Sequence, residues 1–299
     1  MSTFEHGEGE PQFGATDQAE QAARTGPALF EWGAKTFVMG VLNITPDSFS
    51  GDGLGTDVER TLKQAREFVA NGADLLDIGG ESTRPAGVYE DAQPVDAEEE
   101  LGRVIPIIER LSAELEVPLS IDTRKASVAR AAVDAGAAIV NDVTMLGYDE
   151  EMAATVGQLG VPIVISHIRE KARYADVVGE VITDLIATVH RAESSGVARN
   201  SIILDPGIGF GKTAAQSLTV LRNLAELTNL GFPVLVGTSR KSSIGAVLDL
   251  PVDDRLEGTA ATVALAIASG ADMVRVHDVK EMARVAKMSD AIVRGWSPK

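Results

Sequence analysis

From residue 36 to the C-terminus the chain repeats one pattern. A short apolar run is followed by a polar turn and then by a longer stretch in which apolar residues return every three or four positions. The runs are FVMGVLNIT (37–45), LLDIGG (75–80), LSIDT (119–123), IVNDV (139–143), IVISH (163–167), IILDP (202–206), VLVGTS (234–239) and MVRVH (273–277). Unbroken apolar runs of this length suit strands buried on both faces, as in a parallel sheet. The intervening DVERTLKQAREFVANGA, DAEEELGRVIPIIERLSAEL and LEGTAATVALAIASGA carry the helical period. Several helices end in Gly-Ala or Gly-Val just before the next run, where glycine stops a helix by turning left-handed. Eight strands, each followed by a helix, predict an α/β fold, a (β/α)8 TIM barrel spanning 36–294 as a single domain. A doubly wound open sheet is the structural alternative, because nothing in the pattern proves closure.

Residues 1–30 lie outside this pattern. They are acidic, rich in Gly, Gln and Ala, and hold no Lys or Arg before Arg24, which predicts a flexible tail. The 299 residues are 44% hydrophobic but only 4% aromatic, with 29 glycines, as an α/β protein with many tight turns requires. A net charge of -17 argues against binding nucleic acid or an anionic membrane surface. An anionic substrate would therefore need cations gathered locally. Cysteine is absent, which removes disulfides and thiolate chemistry. No apolar run reaches the ~20 residues of a membrane span, and the N-terminus lacks a basic start followed by an apolar stretch, so the expected location is the cytoplasm.

A barrel places its chemistry at the carboxyl ends of the strands. Nearly every run here ends in a polar side chain: Asn43, Asp77, Asp122, Asn141-Asp142, His167, Asp205, Ser239-Arg240-Lys241, and Arg275 with His277. Any one could be a helix cap, but eight together point to a site. They sort by sign. Asp77, Asp122, Asn141, Asp142 and Asp205 suit a flat heterocycle with an amino-lactam edge, since carboxylates accept from adjacent ring N–H groups and an amide both donates and accepts. Arg84, Arg240, Lys241, Arg275 and His277 could grip a polyphosphate. Four histidines in all make a histidine-rich metal site a poor expectation. A hard ion held by oxygens, such as Mg²⁺ on Asn43 and a substrate phosphate, stays open.

The stretch LDPGIGFGKTAAQ, from 204, imitates a nucleotide loop but misses it. Five residues before Gly211, in Gly211-Lys212-Thr213, stands Pro206 where the phosphate-binding loop needs glycine, and Gly207, Gly209 and Gly211 are spaced two and two rather than two and three.

MGVLNITPDSF, DIGGESTRP, SIDT, VNDV, LDPGIGFGK, TSRKS and VRVHDV, in this order over about 36–294, resemble the motif series of the dihydropteroate synthases. The resemblance implies a barrel joining 6-hydroxymethyl-7,8-dihydropterin pyrophosphate to p-aminobenzoate, giving 7,8-dihydropteroate and pyrophosphate in folate synthesis. It implies a pterin set of Asp122, Asn141, Asp205 and Lys241, with Asp77 beside them, and a pyrophosphate and Mg²⁺ set of Asn43, Arg84, Arg275 and His277. Thr83, Pro85, Phe210 and Ser239 would form the p-aminobenzoate site, and Lys212 would not be a phosphate lysine. Arg275, His277, Lys241 and Arg84 would carry catalysis by stabilising the departing pyrophosphate before the amine attacks. A homodimer and sulfonamide sensitivity are implied as well. The chain departs from the series at VISHIRE, where methionine usually stands beside the histidine, and in the stretches after strands one and two. Rival readings are a methyltetrahydrofolate-dependent methyltransferase, a non-catalytic pterin-binding homologue and an unrelated phosphosugar barrel. None of the three explains the acidic and cationic sets together with the NITPDSF stretch.

Overall fold

The computed structural model describes residues 29–44, 54–81 and 95–297. The predicted tail at 1–30 falls almost wholly outside these residues. Two compact units divide the chain, Met1–Glu31 and Trp32–Lys299, and the second holds every regular element named below.

Among the described residues of this unit, eight strands and ten α-helices follow one another. The strands are β1 (Phe37–Asn43), β2 (Leu75–Gly79), β3 (Leu119–Asp122), β4 (Ile139–Asp142), β5 (Ile163–Ser166), β6 (Ile202–Asp205), β7 (Leu235–Val236) and β8 (Met273–Val276). The helices are α1 (Leu54–Ala70), α2 (Ala97–Glu114), α3 (Ala126–Asp134), α4 (Met152–Leu159), α5 (Val177–Ser194), α6 (Ala214–Arg222), α7 (Leu224–Thr228), α8 (Ser242–Leu248), α9 (Leu256–Ala268) and α10 (Val279–Val293). All eight predicted strands form where the apolar runs stand, each shorter than its run by one or more residues.

Every strand pairing is parallel, in the order β6-β5-β4-β3-β2-β1-β8-β7. A parallel bridge between Leu204 and Val234 joins the two ends and rounds the sheet into a barrel. The open doubly wound sheet is thereby set aside. Among the described residues no helix is long and apolar enough to cross a membrane.

Strand side chains alternate between two cores. Val38, Leu42, Leu76, Ile78, Ile121, Val140, Ile163, Ile165, Leu204, Val274 and Val276 face the helices and join one buried cluster with Leu62, Ile107, Ile108, Leu111, Leu185 and Met282. The in-register partners of opposite parity face the lumen: Met39 pairs with Leu75 and Arg275, Val41 with Asp77, and Asp122 with both Gly79 and Asn141. The lower lumen is apolar, filled by buried Met39, Leu75, Ile139, Val164, Ile203, Leu235 and Met273. Toward the carboxyl ends it becomes polar. That change of layer creates the site.

Candidate active site

Asp77, Asp122 and Asn141 leave β2, β3 and β4 into the upper lumen, all nearly inaccessible to solvent. Arg275 enters from β8 one layer lower, in register with Met39, and its long side chain rises to meet them. Its Nε donates to Asp77 Oδ2 at 2.6 Å and an Nη to Asp122 Oδ2 at 2.8 Å, while Asn141 Nδ2 donates to Asp77 Oδ2 at 3.1 Å. The cationic and acidic sets are therefore one network. Its second oxygens tell a different story: Asp77 Oδ1 and Asp122 Oδ1 are buried and accept nothing within the described residues. Burial pushes the Asp122 carboxyl up to about 7 against the pull of Arg275, with Asp77, Glu100 and Asp142 adding to the rise. For Arg275 burial works the other way, and Asp77 and Asp122 more than compensate, so its charge is secure.

Asp205 closes β6 opposite, beside Ser166 in the register. Its Oδ1 accepts the Gly207 amide at 2.7 Å, and burial raises its carboxyl despite that bond and the nearby Lys241. The following turn is squeezed against the exit of β5. Gly207, at φ +64°, approaches so closely that a Cβ there would stand 1.7 Å from the His167 carbonyl oxygen. Gly211, at φ +59°, would bring one to 1.9 Å from that of Arg169. The Phe210 ring has the Lys241 ammonium 4.1 Å from its centroid. Lys212 folds back into the turn, and Thr213 caps α6 through a reciprocal pair with Gln216. The glycines of LDPGIGFGK are thus spent on chain packing.

The stretch after β7 closes the ring. Ser239 Oγ meets both the backbone amide (3.2 Å) and Nδ1 (3.0 Å) of His277, so its hydroxyl is turned to that ring. His277 is held down to about 4 by burial and by Arg275 and Arg240. That favours the neutral imidazole near pH 7. Arg240, another member of the cationic set, holds the αL conformation at φ +57° and pairs with both oxygens of Asp278. Asn43, the one exposed residue of β1, sits at the rim in register with Gly79.

Other sequence expectations fare unevenly. Asp142 is removed from the acidic set: its Oδ1 accepts the amides of Thr144 and Leu146 and both oxygens meet the Thr144 hydroxyl. These bonds hold the αL pair Met145 and Leu146. Thr83, Arg84 and Pro85, together with the altered stretches after strands one and two, lie mostly or wholly outside the described residues.

One group was missed. Lys125, after β3, donates to Glu81 Oε2 at 2.8 Å and to the fully buried Glu100 at 2.5 Å, while Arg124 binds Glu81 at 2.6 Å. Glu81 Oε1 also takes the Val95 amide, so it joins the chain on either side of 82–94. Its carboxyl is lowered, burial being outweighed by Lys125, Val95 and Arg124. Nothing in DAEEEL separates buried Glu100 from a solvated charge run; a helical-face count placing it with Val104 and Ile107 is the available signal.

With this geometry in view, comparison with known proteins is specific. The pterin binding enzyme family matches residues 39–277. A dihydropteroate synthase of Bacillus subtilis is 49% identical over 273 residues, 91% of this chain and 94% of its own length. The crystal structure of a Clostridium difficile dihydropteroate synthase, obtained with pteroic acid, superposes with a TM-score of 0.85 at 46% identity, covering 89% of this chain and 99% of the other. A Xanthomonas albilineans dihydropteroate synthase in complex with 7,8-dihydropteroate gives 0.79 at 42% identity over 87% and 94%.

Proposed function

The chain belongs to the dihydropteroate synthase family of pterin-binding enzymes, and from that premise we propose how its lumen joins 6-hydroxymethyl-7,8-dihydropterin pyrophosphate to p-aminobenzoate. Two buried carboxylate oxygens without partners among the described residues, Asp77 Oδ1 and Asp122 Oδ1, carry the reading. Each has a sister oxygen fixed by Arg275, and a buried acceptor left open calls for a ligand donor. Ring N–H and exocyclic amino groups of a pterin are such donors. Asp205, across the lumen, accepts from the same ring, Asn141 donates and accepts, and Lys241 donates to a ring acceptor.

The diphosphate lies toward Arg275, His277 and Asn43, with Arg84 supplied by the chain after β2. Ser239 accepts the His277 amide and donates to Nδ1, leaving the Nε2 hydrogen for a phosphate oxygen. Mg²⁺ fits this rim because it keeps most of its waters and takes few protein ligands alongside substrate phosphates. The Asn43 carbonyl would hold it, and the ion would supply positive charge to the leaving group.

The chemistry breaks the bond between the exocyclic CH₂ and the pyrophosphate oxygen, and pyrophosphate keeps the electron pair. The positive charge left on the CH₂ spreads into the ring beside the Asp77 and Asp122 carboxylates. The amine of p-aminobenzoate, held against Phe210 near Thr83 and Pro85, forms the new C–N bond and releases one proton. An arylamine is already neutral at pH 7, so no strong base is needed. Arg275 stabilises the departing anion, and loss of one such group lowers turnover by about 10²–10³-fold.

Apolar side chains exposed on α9 and α10, Leu265 (66%), Met288 and Ile292 (71%), support a homodimer through these helices. The test is pyrophosphate release from purified protein with pterin pyrophosphate and Mg²⁺. Release that requires p-aminobenzoate and falls at least ~100-fold in Arg275→Met supports the assignment. Release independent of the amine, or an unimpaired variant, overturns it.

A further inference from the structure

Lys212 is the residue that the failed nucleotide-loop comparison left without a role. It is 8% exposed, yet its ammonium has three acceptors: His167 Nδ1 at 2.8 Å, the Gly207 carbonyl at 3.0 Å and the Phe210 carbonyl at 3.2 Å. An ammonium has three N–H groups, and this set uses all of them. The acceptor side is equally determined. His167 Nε2 faces Asp184 at 3.2 Å, so that nitrogen carries the ring hydrogen and Nδ1 offers its lone pair to Lys212. Asp184 is fixed in turn by Arg169 and Arg169 by Glu180, while Tyr174 donates to the Gly211 carbonyl at 3.0 Å. The inner side of the turn is thus tied to the exit of β5. Its outer side carries Asp205 and the Phe210 ring.

We infer that Lys212 is a positioning residue: by gathering the Gly207 and Phe210 carbonyls onto one buried ammonium, with His167 as its fixed third acceptor, it sets the Phe210 face that receives p-aminobenzoate. The inference rests on the functional reading above and extends it to a residue outside the substrate shell. Asp205 has its own tether in the Gly207 amide, so the main effect falls on the aryl site. Methionine at this position would leave three acceptors unpaired and cost stability as well, so a separate readout of aryl and pterin binding is what isolates the positioning role. The three donors are what methionine could not supply.

Burial brings Lys212 down to about 7, Lys241 and Arg169 push the same way, and Asp205 and Asp184 oppose them. His167 is held at about 4 by burial and by Lys212, and stays neutral. Loss of a proton from Lys212 leaves two N–H groups for three acceptors, so the turn loosens as pH rises through this range.

The experiment compares wild type with Lys212→Met, His167→Asn and His167→Leu. Asparagine keeps an acceptor where Nδ1 stands and leucine does not. Expected for Lys212→Met are a lowered melting temperature, a KM for p-aminobenzoate raised about tenfold or more, and pterin pyrophosphate affinity within about threefold. His167→Leu should follow it and His167→Asn should stay within about threefold of wild type. The wild-type KM should climb above about pH 7, and the Lys212→Met profile should lack that climb. An unchanged KM in Lys212→Met, or identical behaviour of the two His167 variants, overturns the inference. The His167 pair decides should Lys212→Met fail to fold. A wild-type chain without p-aminobenzoate-dependent release refutes the functional reading itself, and the aryl substrate named here falls with it.

Discussion

Replacing Asp122 by asparagine should make the protein more stable and worse at its task, with the gain depending on pH. Asp122 is 4% exposed, and its carboxyl is raised to about 7 chiefly by burial. Between the ordinary carboxylate value and about 7 the native state holds a proton that the unfolded chain has released. Stability therefore falls as pH rises through that window, and by pH 8 the penalty is on the order of 4 kcal/mol. Asparagine carries no such penalty, and its carbonyl can still accept from Arg275. The difference in unfolding free energy between variant and wild type should be small at pH 4.5 and grow toward that value at pH 8, read from urea curves at three pH values. Binding should move the other way. The open Oδ1 becomes a neutral oxygen or an N–H group, and losing a charged acceptor is worth about 1.5–3 kcal/mol, or about 10- to 150-fold in pterin affinity by calorimetry. Parallel stability curves with pH would refute the buried-charge argument, and unchanged pterin affinity would refute the role of Oδ1.

Two further predictions test the ring of residues around it. Gly207→Ala should lose about 4 kcal/mol or more, since its Cβ meets the His167 carbonyl oxygen, whereas Gly231→Ala, also at positive φ but with open space around it, should lose only about 1–2 kcal/mol; equal losses in urea unfolding would contradict the packing. His277→Gln should lower kcat/KM by about 10²-fold while leaving the shape of its pH profile between 5 and 8 unchanged, because the free-chain imidazole, at about 4, does not titrate there; a limb of that profile vanishing with the histidine would show otherwise.

Much of this architecture is legible in the residue order because the forces that set it are local. Apolar runs carrying Asn43, Asp122 or Asp205 mark both the strand and its rim end, whereas Asp77 falls in the middle of β2, and glycines such as Gly72 and Gly270 stop helices at positive φ as the pattern predicts. What the order hides is pairing across the barrel. Arg275 is separated by 198 and 153 residues from the carboxylates it binds, so sorting by charge divided a network that the fold unites. Asp142 reads in sequence as one more strand-end carboxylate like Asp122, but it follows lumen-facing Asn141 on β4 and its oxygens are taken by Thr144 and Leu146. Lys212 could be denied a phosphate from glycine spacing alone, but its acceptor His167 lies 45 residues away. Glu100 and Lys125 read as surface charges until α2 is laid on the barrel.

The barrel is a ring with one weak fastening. β5 and β6 align over four residues, whereas β6 and β7 are joined among the described residues by the Leu204–Val234 bridge, with Leu204 N donating to Pro233 O at 2.9 Å, and β7 itself is two residues long. Amide hydrogen exchange should therefore begin at this seam, through partial openings requiring much less free energy than global unfolding. Asp205 stands on one side of the seam and Lys241 on the other. A ring held between them would act as a clip across the gap, so occupancy would register as slowed exchange on β6 and β7 while β2 to β4, already continuous, keep their protection.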